Sequence, residues 1–212
     1  MLCRNPADYD RARALFEQCD QIVVEAMLDI VGNPCLNFAV ISPQDVRYLG
    51  SADQVVSPEG KHQGNWIDLE AVLSPAVVEP AMEVVRRGAA MGYRGFVGVD
   101  MAVTRDDQVY VLDLNFRLNA STAGLLLAPV IQDRLGAPVS HVHKFQRAGS
   151  AEEFARLLEP WVRSGELVPL AFFDAEAAGH PGQPTIVQAM IVHTSRAAVL
   201  ETESRLAEAG VA

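Results

Sequence analysis

Apolar residues recur along this chain in two rhythms, every second position in some stretches and every third or fourth in others, so both strands and helices are expected. A first helix is predicted over Asn5 to Cys19, with Asn5 as its cap, Pro6 at the first helical position, and Ala7, Ala12, Leu15 and Phe16 at loosely helical spacing. The runs "QIVVEAML", "PCLNFAVI" and "VRYLG" read as strands, the last two joined by the turn-like "SPQD". From Gly50 to Ser74 the chain becomes polar, through "GSADQVVSPEGKHQGN", and reads as a long functional loop. A helix follows, with Ser74 capping it, Pro75 opening it, Arg86 and Arg87 near its end and Gly92 at the stop.

"GFVGVDMAV" and "QVYVLDLNF", joined by "TRDD", predict a β-hairpin, and Ser121 to Leu135 predicts a helix. The stretch "GAPVSHVHKFQRAG" reads as a connector with a short strand inside it. Beyond it, a helix opened by the capping box Ser150 and Glu153, strand "LVPLAFF", loop "EAAGHPGQP", strand "TIVQAMIV" and a helix capped at Ser195 form a last unit. The fold expected is α+β, a mainly antiparallel sheet with packed helices and a small C-terminal helix-strand-strand-helix unit. A boundary near Gly149 would divide it into 1–149 and 150–212.

Half of the 212 residues are hydrophobic, which argues against disorder. A net charge of -10 argues against nucleic acid or anionic lipid as a partner, since both would be repelled at long range. The opening "MLCRNPADYD" has no apolar core of signal-peptide length, and "AGLLLAPVI" is too short to span a bilayer. Three cysteines, Cys3, Cys19 and Cys35, without metal-type spacing suit a reducing compartment, so a cytoplasmic protein is expected.

The candidate chemistry lies in "VLDLNFRLNAST", Val111 to Thr122. Alternation puts Asp113, Asn115 and Arg117 on one face of a strand and Leu112, Leu114 and Phe116 on the other. A two-residue hairpin loop at Asp106 and Asp107 would place Asp100 directly opposite Asp113 on that same face. Like charges so placed repel, and a cation relieves them. Two carboxylates and an amide oxygen suit Mg2+ or Mn2+, hard ions that also bind substrate phosphates, and Arg117 could fork onto a phosphate beside them. The competing reading is a solvated sheet face with an incidental Arg117–Asp113 ion pair.

With "GYRGFVGVDMAV" followed by "VYVLDLNFRLNAST", the chain resembles the C-terminal half of the ATP-grasp fold, the superfamily of biotin carboxylase and D-alanine ligase. Its paired metal-binding strands carry an acidic residue, then acidic-x-Asn-x-Arg. "IVVEAML" looks like the hinge strand on which adenine sits. The resemblance covers roughly Ala7 to Leu135, and "LVPLAFFD" with the final strand and helix resembles the tail of pheganomycin-type peptide ligases. It implies that Asp100 and Asp113 hold metals bridging ATP phosphates, that Asn115 completes a coordination shell, and that Arg117 stabilises the acyl phosphate or the tetrahedral species after it. The backbone of Ala26 and Leu28 would meet the adenine edge, and Glu25 the adenine or ribose.

The implied function is an ATP- and Mg2+-dependent carboxylate–amine ligase, or the half of one, joining a small-molecule acid and amine through an acyl phosphate. An intact relative has a preceding domain and a first grasp subdomain with phosphate-binding lysines and a Gly-rich loop. Few residues precede "QIVVEAML" here, so another chain supplying that half is an expected partner. Lys61 and Lys144, the two lysines, follow no Gly-rich pattern and read as solvated. The rival readings are a non-catalytic nucleotide- or metal-binding module, and a truncated fragment that self-associates through an uncovered apolar strand.

Gln54, Lys61, His62 and Asn65 border the substrate cleft in the resemblance, against the plainer reading of an ordinary polar loop. His141 and His143 share a strand face but have no third ligand in reach by sequence, so no metal is assigned to them. Trp66 and Trp161 read as packing residues, and "ETESRLAEAG" as the exposed side of the last helix.

Overall fold

The computed structural model describes residues 3–57, 60–180 and 182–211. Its elements in chain order are α1 (Pro6–Phe16), β1 (Ile30–Gly32), β2 (Pro34–Ser42), β3 (Asp45–Val56), β4 (His62–Asp68), α2 (Pro75–Ala90), β5 (Gly95–Thr104) and β6 (Val109–Asn115), then α3 (Thr122–Leu135), β7 (Val139–Arg147), α4 (Ala151–Ser164), β8 (Leu167–Phe173), β9 (Thr185–His193) and α5 (Arg196–Glu208). Local rules account for most helix starts. Asn5 Oδ1 accepts from the Asp8 N–H at 3.1 Å with Pro6 opening the helix, Ser150 Oγ accepts from Glu153 N–H at 3.2 Å, and Ser195 Oγ from Ala198 N–H at 3.3 Å.

All nine strands join one sheet in the order β1-β5-β2-β3-β4-β7-β9-β8, with β6 paired to β5. Every pairing is antiparallel. Cross-strand partners share a face, so Pro34, Asp53, Trp66, His141 and Ile191 stand in line across the sheet. On that face α2 packs Val77, Ala81, Val85 and Ala89 over Leu36 and Phe38 of β2 and Val97, Val99 and Met101 of β5. Helices α4 and α5 cover the same face further along, over Phe145, Val187, Ala189 and Ile191. Helix α3 packs on the other face, over Ala52, Ile67, Val142, Met190 and Val192. That face, beyond the reach of α3, is where the candidate site lies.

Four expectations need correction or comment. The predicted strand "QIVVEAML" has no regular secondary structure, and pairing begins only at Ile30. A strand exists through hydrogen bonds to a neighbour, and Val23, 84 % exposed, and Val24 have none beside them. The predicted loop from Gly50 to Ser74 is instead the second half of β3 and all of β4; its Pro58 and Glu59 lie outside the described residues, as does Pro181 of the later loop. Polar residues lining a cleft give a strand the composition of a loop. The connector with its short strand is β7, nine residues paired on both sides by β4 and β9. At Gly149 the chain turns between elements of one continuous sheet, and β9 pairs with β7 along its whole length. No described helix is long and apolar enough to cross a membrane.

Gly88 on α2 shows how tightly this arrangement is set. A Cβ there would sit 2.3 Å from Cε1 of Phe116, the ring that follows β6 into the core and meets Tyr93 edge-on at 4.9 Å. Helix propensity alone would make Gly88→Ala stabilising by about 1 kcal/mol, whereas forcing the ring aside costs about 1–3 kcal/mol. We expect a net loss, read as a lower urea midpoint at unchanged m-value; a gain would mean that Phe116 is free to move.

Candidate functional site

The β5–β6 hairpin does place Asp100 opposite Asp113, by a route the sequence did not suggest. The loop has three residues, Arg105 to Asp107, closed by Thr104 N–H donating to the Gln108 carbonyl at 2.9 Å. Asp107 takes the left-handed conformation (φ 58°) that such loops need. This register alone would set Asp100 against Leu112. A bulge between Met101 and Asp100 then absorbs Leu112 as an extra residue and restores the Asp100–Asp113 and Gly98–Asn115 pairs.

Asn115 binds both carboxylates through one amide nitrogen, donating to Asp100 Oδ2 at 3.3 Å and to Asp113 Oδ2 at 3.1 Å. Its Oδ1 accepts from Arg117 Nη2 at 2.6 Å, and Arg117 Nη1 donates to the Leu118 carbonyl at 3.1 Å. The Arg117–Asp113 ion pair of the competing reading does not form. Among the described residues neither aspartate has a cationic partner, so two adjacent carboxylates are compensated only by neutral donors, the Asn115 amide and, for Asp113 Oδ1, the Leu114 N–H at 2.9 Å. Hard oxygens in surplus of positive charge fit a divalent ion of the Mg2+ class. Turning the Asn115 amide over would present Oδ1 to that ion and release Arg117.

Beneath the acids lies a buried polar layer. Asn119 Oδ1 accepts from the N–H groups of Ser121 and Thr122, at 3.0 and 3.1 Å, and from Ser121 Oγ at 2.8 Å, capping α3 from outside it. Its Nδ2 donates to Asn37 Oδ1 at 3.1 Å, which also accepts from Thr122 Oγ1 at 2.9 Å, and Asn37 Nδ2 donates back to Ser121 Oγ at 3.0 Å. The layer ties β2, α3 and the loop after β6 into one unit. Gly98 makes room for it, since a Cβ there would lie 1.8 Å from Asn119 Nδ2. Cys35, paired across the strands with Asp100, has its thiol pushed far up by burial and then by the Asp100 charge. It stays a neutral thiol.

Over this floor is a cavity of about 230 Å3 whose walls include Gln54, His62 and Asn65 along with Asp100, Asp113 and Arg117. The sequence-predicted residues Gln54, His62 and Asn65 are thus brought to the acids, and Lys61 is not. A second groove of about 600 Å3 adjoins it, sharing His62, Asn65 and Ala120 and lined further by Lys144 and Gln188. Glu25, Ala26 and Leu28 line neither; they lie on the irregular segment before β1. Sequence reading passed over Cys35, Asn37, Asn119 and Ser121. The signal available was Asn37, an amide in the middle of the otherwise apolar "PCLNFAVI".

Residues 1–115 match the family model described as L-aspartate–L-methionine ligase, ATP grasp. Among solved structures, the chain is similar to N5-carboxyaminoimidazole synthetase from Staphylococcus aureus, with TM-score 0.66 and 13% identity over 99% of this chain and 57% of that one. A counterpart from Aspergillus clavatus, in complex with ADP and 5-aminoimidazole ribonucleotide, gives 0.60 and 12% over 95% and 57%. The biotin carboxylase domain of a single-chain bacterial carboxylase gives 0.58 and 13% over 93% and 51%. At these identities the likeness is one of fold, and this chain spans just over half the length of each.

Two outcomes test the geometry. Replacing one acid by its neutral isostere, Asp113→Asn, should raise the stability of the metal-free protein by a few tenths to about 1 kcal/mol, because a like-charge pair is removed; a destabilised variant in urea unfolding would contradict that pairing. At about pH 8, iodoacetamide should label exposed Cys19 and leave Cys35 untouched until the chain is unfolded, as read by peptide mass spectrometry. Labelling of Cys35 in the native protein at the rate of Cys19 would show that the buried layer opens.

Proposed function

This chain belongs to the ATP-grasp family, and from that premise we propose that it carries the metal- and phosphate-binding half of an ATP- and Mg2+-dependent carboxylate–amine ligase. The observation that carries the reading is the Asp100–Asp113 pair, held side by side with no cationic side-chain partner among the described residues and bridged by Asn115. Asp100, Asp113 and the turned Asn115 amide would hold Mg2+, which when bound neutralises the phosphate oxygens of ATP. Arg117, anchored only to the Asn115 amide and the Leu118 carbonyl, is free to exchange those acceptors for a phosphate or carboxylate.

In this reading a substrate carboxylate oxygen attacks the γ-phosphorus, ADP leaves, and an acyl phosphate forms. The amine then attacks the acyl carbon, phosphate departs and the amine loses its proton. No protein nucleophile is required, in keeping with a Cys35 thiol that burial and the Asp100 charge keep in its neutral form. The description of the matching family names the pair to try first, L-aspartate and L-methionine, and in this reading the first is the acid and the second the amine. The adenine position assigned to Glu25, Ala26 and Leu28 remains part of this proposal. So does a partner half, for which the exposed Val111, Leu112 and Leu114 on the β6 edge and the unpaired Ile22 to Met27 are the natural seat. The pheganomycin-type tail lies beyond residue 115, outside the family match, and is kept as a proposal for the acceptor side.

Calorimetric titration with ATP, with and without Mg2+, is the test. Binding that requires the metal, and that Asp113→Ala weakens by about 100-fold or more without lowering the thermal midpoint, is the expected result. Equal binding in both conditions, or binding retained in Asp113→Ala, would overturn it. Where binding holds, hydroxylamine added during turnover with the two amino acids should trap an acyl hydroxamate; turnover without trapping would reject the acyl phosphate route. Binding with no turnover in the completed protein would favour a non-catalytic nucleotide module.

A further inference from the structure

On the face of the sheet opposite the carboxylate pair, β7 presents His141 and His143 toward α5, and α5 supplies what the sequence could not show as a neighbour, Glu203. "ETESRLAEAG" is therefore not all exposed surface: Glu203 is half-buried and aimed at the sheet. His141 Nδ1 lies 3.5 Å from Glu203 Oε2, and His143 Nδ1 lies 3.8 Å from Oε1. One ligand atom from each of the three side chains falls within 4.8 Å of the others.

We propose that His141, His143 and Glu203 form a binding site for a divalent transition ion of the zinc class, distinct from the Mg2+ site and independent of the ligase reading. Two observations point to a ligand. The His141 side chain is only 5% exposed, yet neither ring nitrogen has a hydrogen-bond partner, and His143 Nδ1 is likewise buried and unpartnered. A buried polar atom in that state normally has an occupant to satisfy it. The spacing also selects the occupant. At 3.5 and 3.8 Å the imidazoles stand at and beyond the limit of hydrogen-bonding reach of the carboxylate, longer than a well-formed bond. A four-coordinate ion with bonds of about 2.0–2.2 Å sets its ligand atoms about 3.4 Å apart, close to the two histidine–carboxylate spacings, and the whole set, within 4.8 Å, has only to draw in around it.

The surroundings suit that role. Trp66 stacks on His141 at 4.6 Å and 10°, with Arg196 over the indole at 5.2 Å and Arg196 fastened to Asp53 at 2.8 Å, so the imidazole is held in orientation. Phe145 flanks His143 at 4.8 Å. His143 and Glu203 are each about a quarter exposed (24% and 28%), which leaves one side open for entry and for water as fourth ligand. Imidazole nitrogens paired with a carboxylate favour zinc-class ions over Mg2+. The consequence is a staple between the last helix and a central strand.

The experiment strips the full chain with chelator and titrates it with Co2+, in the Asp113→Ala background so that the acidic pair cannot contribute. One equivalent should develop the visible bands of a low-coordinate imidazole-bound ion, be displaced by Zn2+, and raise the thermal midpoint. Glu203→Gln and His143→Gln, with circular dichroism confirming that each folds, should weaken Co2+ binding at least about tenfold. No bands in the parent chain, or a loss of less than tenfold in both folded variants, would overturn the site.

Discussion

Two carboxylates, Asp100 and Asp113, stand on adjacent strands with no positive side chain among the described residues to separate them, and much of the structure serves to hold that arrangement. It is unfavourable on its own terms, since like charges in paired positions repel. The Asn115 amide offsets part of this, and the β5–β6 register prevents the rest from being relieved by slippage. A loop of three residues and a one-residue bulge are both needed, each cancelling the displacement the other introduces. The loop alone would set Leu112 against Asp100, and the bulge alone, on a two-residue loop, would set Leu114 there.

That register in turn depends on what lies to either side of β5. On one face, α2 locks Val97, Val99 and Met101 against Leu36 and Phe38, and Phe116 closes the end of the packing against Gly88. On the other, Asn37, Asn119, Ser121 and Thr122 exchange hydrogen bonds beneath the acids, and because those bonds also cap α3, the helix start and the floor of the cavity are one object. A small sheet face thus carries a polar site without losing order. The face opposite Asp100 and Asp113 carries the two histidines, under α5, so the sheet separates a ligand set dominated by hard oxygens from one led by imidazole nitrogens.

Legibility followed how local each signal was. Caps and helix starts such as Asn5–Pro6, Ser150 and Ser195 were readable because each is decided within four residues. The alternation in "VLDLNFR" was readable for the same reason, and with it the candidate acids. Misreadings came where burial on both faces, or polarity lining a cleft, erased the period: β7 looked like a connector, and β3 with β4 looked like a loop. "QIVVEAML" failed in the opposite sense, since its composition asks for a strand and strand formation needs a neighbour that composition cannot supply.

By itself, then, the amino-acid sequence determined the helix boundaries, the strand faces and the residue types at the acidic site, together with the family pattern Asp113-x-Asn115-x-Arg117, all properties of residues close along the chain. Only the tertiary structure decided that the hairpin register is rebuilt by a bulge, that Asn37 and Asn119 lie beneath Asp100, and that Glu203 reaches His141 and His143. The contacts of Asn37 with Asn119, Ser121 and Thr122, and of Glu203 with the two histidines, join residues some 60 to 85 positions apart. Such contacts arise from the order of strands and the choice of face on which each helix packs, and neither leaves a local mark in the chain.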